Sequence, residues 1–282
     1  MVLDRSFRLY LENFALMIGL SAILNVPLLF MSFLFTAGSI DVTKLNGATA
    51  VALAIGVIVF LVAAIIVAPM IAGATALAVS DIYLGKVATA GTVLSAAWRK
   101  VWTLLKTQII VGLILFGLIL AAGIVLGVVA GIMTLLSIPT VILGSIMVLG
   151  LIALMVCTIL LFLSYALIAP IVMIEGTDNG REIRNRSWRL VEGQRLKVFL
   201  IFLVLVVIQL LVQAGVGILL AVGFGLGNAS LTSSILNGIL SILLTPISAI
   251  AVTLLYYDFR IRKEGFDLEM LSQSMGGPTT EA

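Results

Sequence analysis

Two pairs of carboxylates stand close enough along the chain to share acid and base work: Glu175 with Asp178, and Asp258 with Glu264. Such chemistry needs one carboxyl held protonated beside an ionised neighbour. Both pairs sit among arginines, where acids at the exit of a membrane helix are expected to be ion-paired instead. The other reactive constellations fail on inventory. The chain has no histidine and one cysteine, Cys157, so a serine triad lacks its base and a zinc site its ligands. No glycine-rich loop runs into Lys-Ser or Lys-Thr as a phosphate-binding loop does. The sequence is therefore read as a non-enzyme, with no catalytic residue, no metal and no cofactor.

What remains is phosphate recognition. The stretch REIRNRSWRLVEGQRLK, residues 181–197, gathers six basic and two acidic side chains, a net +4, in a chain of which 10% is charged. Five of the six are arginines, whose planar fork grips phosphate bidentately where lysine offers a point charge. Asn179, three positions before Glu182, starts a capping box, and Gly193 stops a helix after Val191. Ile183, Ser187, Leu190 and Val191 share one side of that helix. It is expected to lie in the membrane interface, its apolar side in the headgroup boundary. Arg181, Arg184, Arg186 and Arg189 then face lipid phosphates or an acidic partner, and Trp188 sits at interfacial depth, as do Trp98, Trp102, Tyr256 and Tyr257. The expected partners are membrane lipids, anionic ones above all, with a protein partner or a second copy next and no nucleic acid.

The elements that position this cluster follow from composition. With 62% hydrophobic residues and a mean hydropathy of +1.30, the chain cannot hide its apolar surface in a water-soluble globule, and a polytopic all-α membrane protein is expected. About 20 apolar residues span the hydrocarbon core. Asn13–Ile40 and Asn46–Ser80 give one helix each. The charge-free runs 107–174 and 198–257 give two each, divided at SIPT (137–140) and GFGLGNAS (223–230). Six crossings put 15 of the 16 Lys and Arg residues on one face, leaving only Lys44 on the other. The positive-inside bias makes that face cytoplasmic, with both termini, in the cell membrane. The first apolar run, 22 residues from Phe14 to Phe35, exceeds a signal-peptide core and is read as an uncleaved span.

An internal repeat runs through the charged segments. RSFRL (5–9), AAWRKV (96–101) and RSWRL (186–190) place Phe7, Trp98 and Trp188 at separations of 91 and 90 residues, each followed by arginine. The expectation is a single domain, 1–270, of three parallel two-helix repeats (about 1–88, 89–178 and 179–270), each preceded by a short interfacial segment, with a disordered tail at 271–282. Gly123, Gly127 and Gly131, and Gly217, Ala221 and Gly225, recur every four residues and read as helix-packing seams. Gln209 and Gln213, one turn apart, read as interhelical glue. Pro69, Pro170 and Pro246 fall one to each even-numbered crossing, where kinks are expected.

Two blocks carry a family resemblance: IAPIVMIEGTDNGREIRNRSWRLVEGQ (168–194) and TLLYYDFRIRKEGFDLEML (253–271). With Pro170, Glu175, Gly180 and Arg186–Leu190 in the first, and Tyr257, Asp258, Arg260, Arg262 and Glu264–Asp267 in the second, the chain resembles the membrane domain of glycerophosphoryl diester phosphodiesterase proteins and related six-helix membrane proteins. The resemblance implies six helices and an association with lipid-related or envelope proteins. It brings no reaction, because hydrolysis in fused members belongs to a separate histidine-using barrel for which this chain has neither histidine nor room. The functional expectation is a scaffold or accessory subunit working through an arginine-rich cytoplasmic face. The other reading is a transporter or channel for a lipid or small amphiphile.

Overall fold

A computed structural model describes residues 2–37, 47–224 and 229–265, which are helical almost throughout. An amphipathic helix, α1 (Val2–Glu12), turns at Asn13 into α2 (Phe14–Ala37). Then follow α3 (Gly47–Tyr83), α4 (Ala90–Leu135), α5 (Thr140–Ser164), the short α6 (Ile168–Pro170) and a π-helical turn (Ile171–Glu175). The amphipathic α7 (Gly180–Val191), α8 (Arg195–Phe224) and α9 (Ala229–Glu264) complete the chain. Among the described residues, six helices are long and apolar enough to cross a membrane. The fold is all-α and multi-pass, as composition requires.

The copy AAWRKV is not a separate interfacial segment. It is the opening of α4, one helix of 46 residues, about 69 Å long at 1.5 Å per residue and twice the hydrocarbon thickness. Thr89 caps its start, Oγ1 accepting from the Thr92 amide at 3.4 Å. It ends where expected: Ser137 takes a left-handed φ of 54° and Pro139 precedes the first turn of α5.

Packing concentrates at one end. Helix α9 lies against α1, α2, α3 and α8, while α4 lies against α3 and α5. Met70, Val79, Leu167, Ile171, Ile250 and Tyr256 anchor the core. Beyond Val111, α4 buries only Met133, and α5 buries only Leu163 and Ser164. Such bare apolar flanks would collapse in water, whereas hydrocarbon solvates them without penalty.

Three expectations from the sequence are corrected here. A Cβ placed on Gly123, Gly127, Gly131 or Gly217 meets nothing within 4 Å, so among the described residues these glycines make no close helix contact. Ala221 lies within α8, and Gly225 is outside the described residues, as are Lys44 and the tail 271–282. Close approach occurs instead at Gly73 against Met173 and Leu104, at Gly150 against Leu126, and at Gly238 against Leu29. A four-residue period marks a helix face but does not say whether protein or lipid meets it. Gln209 and Gln213 are likewise exposed and make no hydrogen bond among the described residues, so they join no helices there. Tyr256 and Tyr257 are buried against protein, 0% and 3% exposed, and are not an interfacial belt.

Candidate functional site

The charged end is organised around a break in the fourth crossing, and the break starts with Pro170. Proline has no N–H for the Ala166 carbonyl and its ring crowds that oxygen. The chain tightens to three-residue bonds: Ala166 N–H to Leu163 O at 3.2 Å and Ile168 N–H to Tyr165 O at 3.4 Å. The Leu167 amide is left to Ser187 Oγ at 3.3 Å, and that hydroxyl donates onward to Ser164 O at 2.8 Å. After Pro170 the helix widens into the π turn, which Gly176 ends at a φ of 75° that favours glycine. The carbonyls of Val172 and Met173 both accept from Lys100 Nζ, at 3.2 Å each. A serine from α7 and a lysine from α4 therefore satisfy backbone that would otherwise be orphaned in a low-dielectric setting.

Helix α7 starts at Asn179 and stops at Gly193 as its sequence dictates, but with no Glu182 bond back to Asn179 among the described residues to complete the capping box. Asn179 Oδ1 accepts from the Arg181 amide at 3.1 Å, and Gly193 takes φ 79° after the last turn. Lys263 Nζ reaches the Arg189 and Glu192 carbonyls, both at 2.6 Å, and serves as a C-terminal cap. Ile183, Ser187, Leu190 and Val191 are indeed on one side and all buried. What buries them is protein, since α7 packs on α4, α5 and α9. The expected placement of that side in the headgroup boundary is corrected accordingly.

Arg186 is the node of the site. Its Nε donates to both Glu175 oxygens, at 3.1 and 3.0 Å, while Nη1 and Nη2 grip Glu264, the latter at 2.8 Å. The Tyr256 hydroxyl donates to Glu175 Oε1 at 2.9 Å and accepts from Arg260 Nη1 at 3.3 Å. Arg260 in turn pairs with Glu264 at 3.4 Å. Burial works against the charged form of Arg186, but the hydrogen bonds and charges of Glu264 and Glu175 outweigh it and hold the guanidinium pKa above its ordinary value. Glu175 and Arg186 come from the first sequence block, Arg260 and Glu264 from the second. The fold brings the two blocks into one ion-pair network.

The remaining charged side chains are apportioned separately. Asp258 takes Lys197 at 2.6 Å and Arg262 at 3.1 Å, and Asp178 accepts from Thr103 Oγ1 at 3.1 Å. Neither carboxylate pair noted in the sequence forms a dyad. Of the five residues expected to meet headgroups, Arg181 and Arg189 are exposed. Arg186 is not available, its fork being filled by carboxylates. Arg184 is half-buried beside Gly180, with Nη1 sealed and without a hydrogen-bond partner among the described residues. Trp188 is clamped between the Tyr165 ring, centroids 6.1 Å apart, and the Arg195 guanidinium, 4.6 Å from its centroid. These contacts tie α7 to the end of α5 and to the start of α8. Sequence reasoning passed over Lys100, Ser187 and Lys263 as a clamp, because their partners are backbone carbonyls and amides that no side-chain pattern announces.

This architecture defines a multi-pass membrane protein whose six crossings are closed at one end by ion pairs. Residues 14–259 match the family model described as Domain of unknown function (DUF7847), and the chain belongs to that family. The match includes Glu175, Arg186 and Tyr256 but neither α1 nor Glu264. No curated protein matches, and no solved structure matches. The likeness to the glycerophosphoryl diester phosphodiesterase membrane domain draws no support from these comparisons.

Proposed function

We propose that the protein is a non-enzymatic scaffold or accessory subunit of the cell membrane, whose charged end faces the cytoplasm and engages anionic lipid headgroups. The observation that carries this reading is a division among the cations. Arg186 and Lys197 are neutralised by carboxylates within the bundle. Arg99, Arg181 and Arg189 remain on the outside, with Trp98 and Trp102 nearby at 62% and 66% exposure, as suits side chains that meet a membrane interface. The internal pairs make a rigid platform, and the outer arginines are its contact surface. The residue preceding the repeat aromatic, Ser6, Ala97 or Ser187, is 0% exposed in every copy, which supports the three-repeat reading of that platform.

Each basic residue near an anionic leaflet contributes about 1 kcal/mol. In reconstituted bilayers, spin-labelled phosphatidylglycerol should associate with the protein in preference to phosphatidylcholine. The triple variant Arg99→Gln, Arg181→Gln, Arg189→Gln should lower that preference. An unchanged preference overturns the lipid-contact reading.

One observation favours the transporter reading. A cavity of about 460 Å³ lies between α3, α4, α6, α8 and α9 beside the break at Pro170, with Gln108, Thr245 and Ser248 in its wall. Broken helices at membrane depth characteristically line such spaces. Saturable, protein-dependent lipid or solute flux in liposomes would establish this reading over the scaffold.

A further inference from the structure

A second recess lies at the charged end, away from the exposed arginines of α7. Helix α1, the start of α8 and the end of α9 enclose a cleft of about 950 Å³. Its floor is apolar, formed by residues such as Leu3, Ile201 and Leu254, while Arg5, Arg8, Lys197 and Arg262 line it together with only Asp4 and Asp258. Four cations against two anions leave the lining at +2, or +1 once Glu12, which pairs with Arg8, is counted. The carboxylates are also unevenly used. Asp258 is shared by Lys197 and Arg262, and Arg8 turns to Glu12 at 2.8 Å on the exposed side of α1. Arg5 has no carboxylate partner among the described residues. Its guanidinium stands 5.9 Å from the Tyr83 ring centroid, and Tyr83 stacks on Tyr257 at 4.9 Å. The Tyr257 hydroxyl donates to Ser80 Oγ at 2.8 Å, so the aromatic platform under Arg5 is itself fixed.

The α8 wall of the cleft opens sideways. Leu196 and Leu200 line it and are 71% and 49% exposed, and Leu203 continues the same exposed stripe down the spanning helix. A soluble anion has no use for the apolar floor, and a zwitterionic lipid would leave the excess positive charge uncompensated. An anionic head with an acyl tail satisfies both. We propose that this cleft binds one anionic glycerophospholipid, its phosphate against Arg5 and Arg262 and an acyl chain along Leu196 and Leu200. The site does not depend on the α7 surface, and α1, which supplies Arg5, lies outside the residues matched by the family model.

Native mass spectrometry of the full chain, released from mild detergent with equimolar phosphatidylglycerol and phosphatidylcholine of matched chains, tests it. The unaltered protein should retain one phosphatidylglycerol in preference. Arg5→Gln with Arg262→Gln should weaken that retention about 30-fold, from two cations each worth about five- to sixfold. Leu200→Trp, which fills the chute without touching charge, should weaken it as well. Arg181→Gln with Arg189→Gln should leave it unchanged, and excess inorganic phosphate should not displace the lipid. Equal retention of the two lipids, displacement by inorganic phosphate, or undiminished phosphatidylglycerol in both cleft variants overturns the proposal. Loss confined to the α7 variant would overturn the cleft while leaving the headgroup role of α7 standing.

Discussion

At the scale of single residues, Arg186 ties two carboxylates from different helical segments, Glu175 and Glu264, through one guanidinium. Its side chain is 23% exposed and those of Glu175 and Glu264 are 17% and 30% exposed, so solvent screens the pairs only in part. Hydrogen bonds to charged groups contribute about 1.5–3 kcal/mol each, and removing one partner strands the others. Arg186→Gln should therefore lower the unfolding free energy in detergent by about 2 kcal/mol, followed by tryptophan fluorescence. Because Arg186 and Glu264 share one network, Arg186→Gln combined with Glu264→Gln should cost less than the sum of the two, by about 0.5–3 kcal/mol. The exposed Arg181 gives the contrast, since Arg181→Gln should fall within about 0.5 kcal/mol of the unaltered protein. Strict additivity of Arg186 and Glu264 would mean that the bidentate contact contributes no coupling.

At the scale of elements, the spans were legible because lipid fixes how long an uncharged run must be, and the divider SIPT marked the turn between α4 and α5. The break in the fourth crossing was legible only as one of three kinks expected alike at Pro69, Pro170 and Pro246. Pro27, Pro69 and Pro246 all sit inside continuous helices, whereas Pro170 terminates one. The proline is the same in each case. What differs is that Ser187 and Lys100 reach the freed groups around Pro170, from about 20 and 70 residues away in sequence, and local pattern cannot register such partners. The arginine cluster was legible as a cluster for a parallel reason, yet its members' fates depend on Glu264 and Trp188 neighbours that only the fold supplies. Ser187 tests this account. Ser187→Ala strands the Leu167 amide and removes the donor to Ser164 O, at a cost of about 1–3 kcal/mol. Hydrogen exchange at amides 165–175 should quicken while that of the α3 core stays slow. Equal exchange in both proteins would show that Lys100 alone holds the break.

At the scale of the molecule, contacts far apart in sequence converge on one end: Arg5 over Tyr83, Lys100 on Met173, Arg186 on Glu264 and Lys197 on Asp258. These pairs can form only if every intervening stretch crosses the membrane an even number of times. Which side that end faces is a separate matter, decided by the positive-inside bias and not by packing. The two can be tested together in a Cys157→Ala background, with Ser95→Cys and Asn185→Cys at the charged end and Thr140→Cys at the turn beyond α4, all exposed positions. A membrane-impermeant maleimide should label Thr140→Cys in intact cells, and Ser95→Cys and Asn185→Cys only after permeabilisation. If the pattern inverts as a whole, the fold stands and the orientation is reversed, removing the cytoplasmic placement of the arginine face. If Ser95→Cys and Asn185→Cys label from opposite sides, Lys100 and Arg186 cannot both reach the Ile171–Glu175 turn, and the ion-paired end could not form as described.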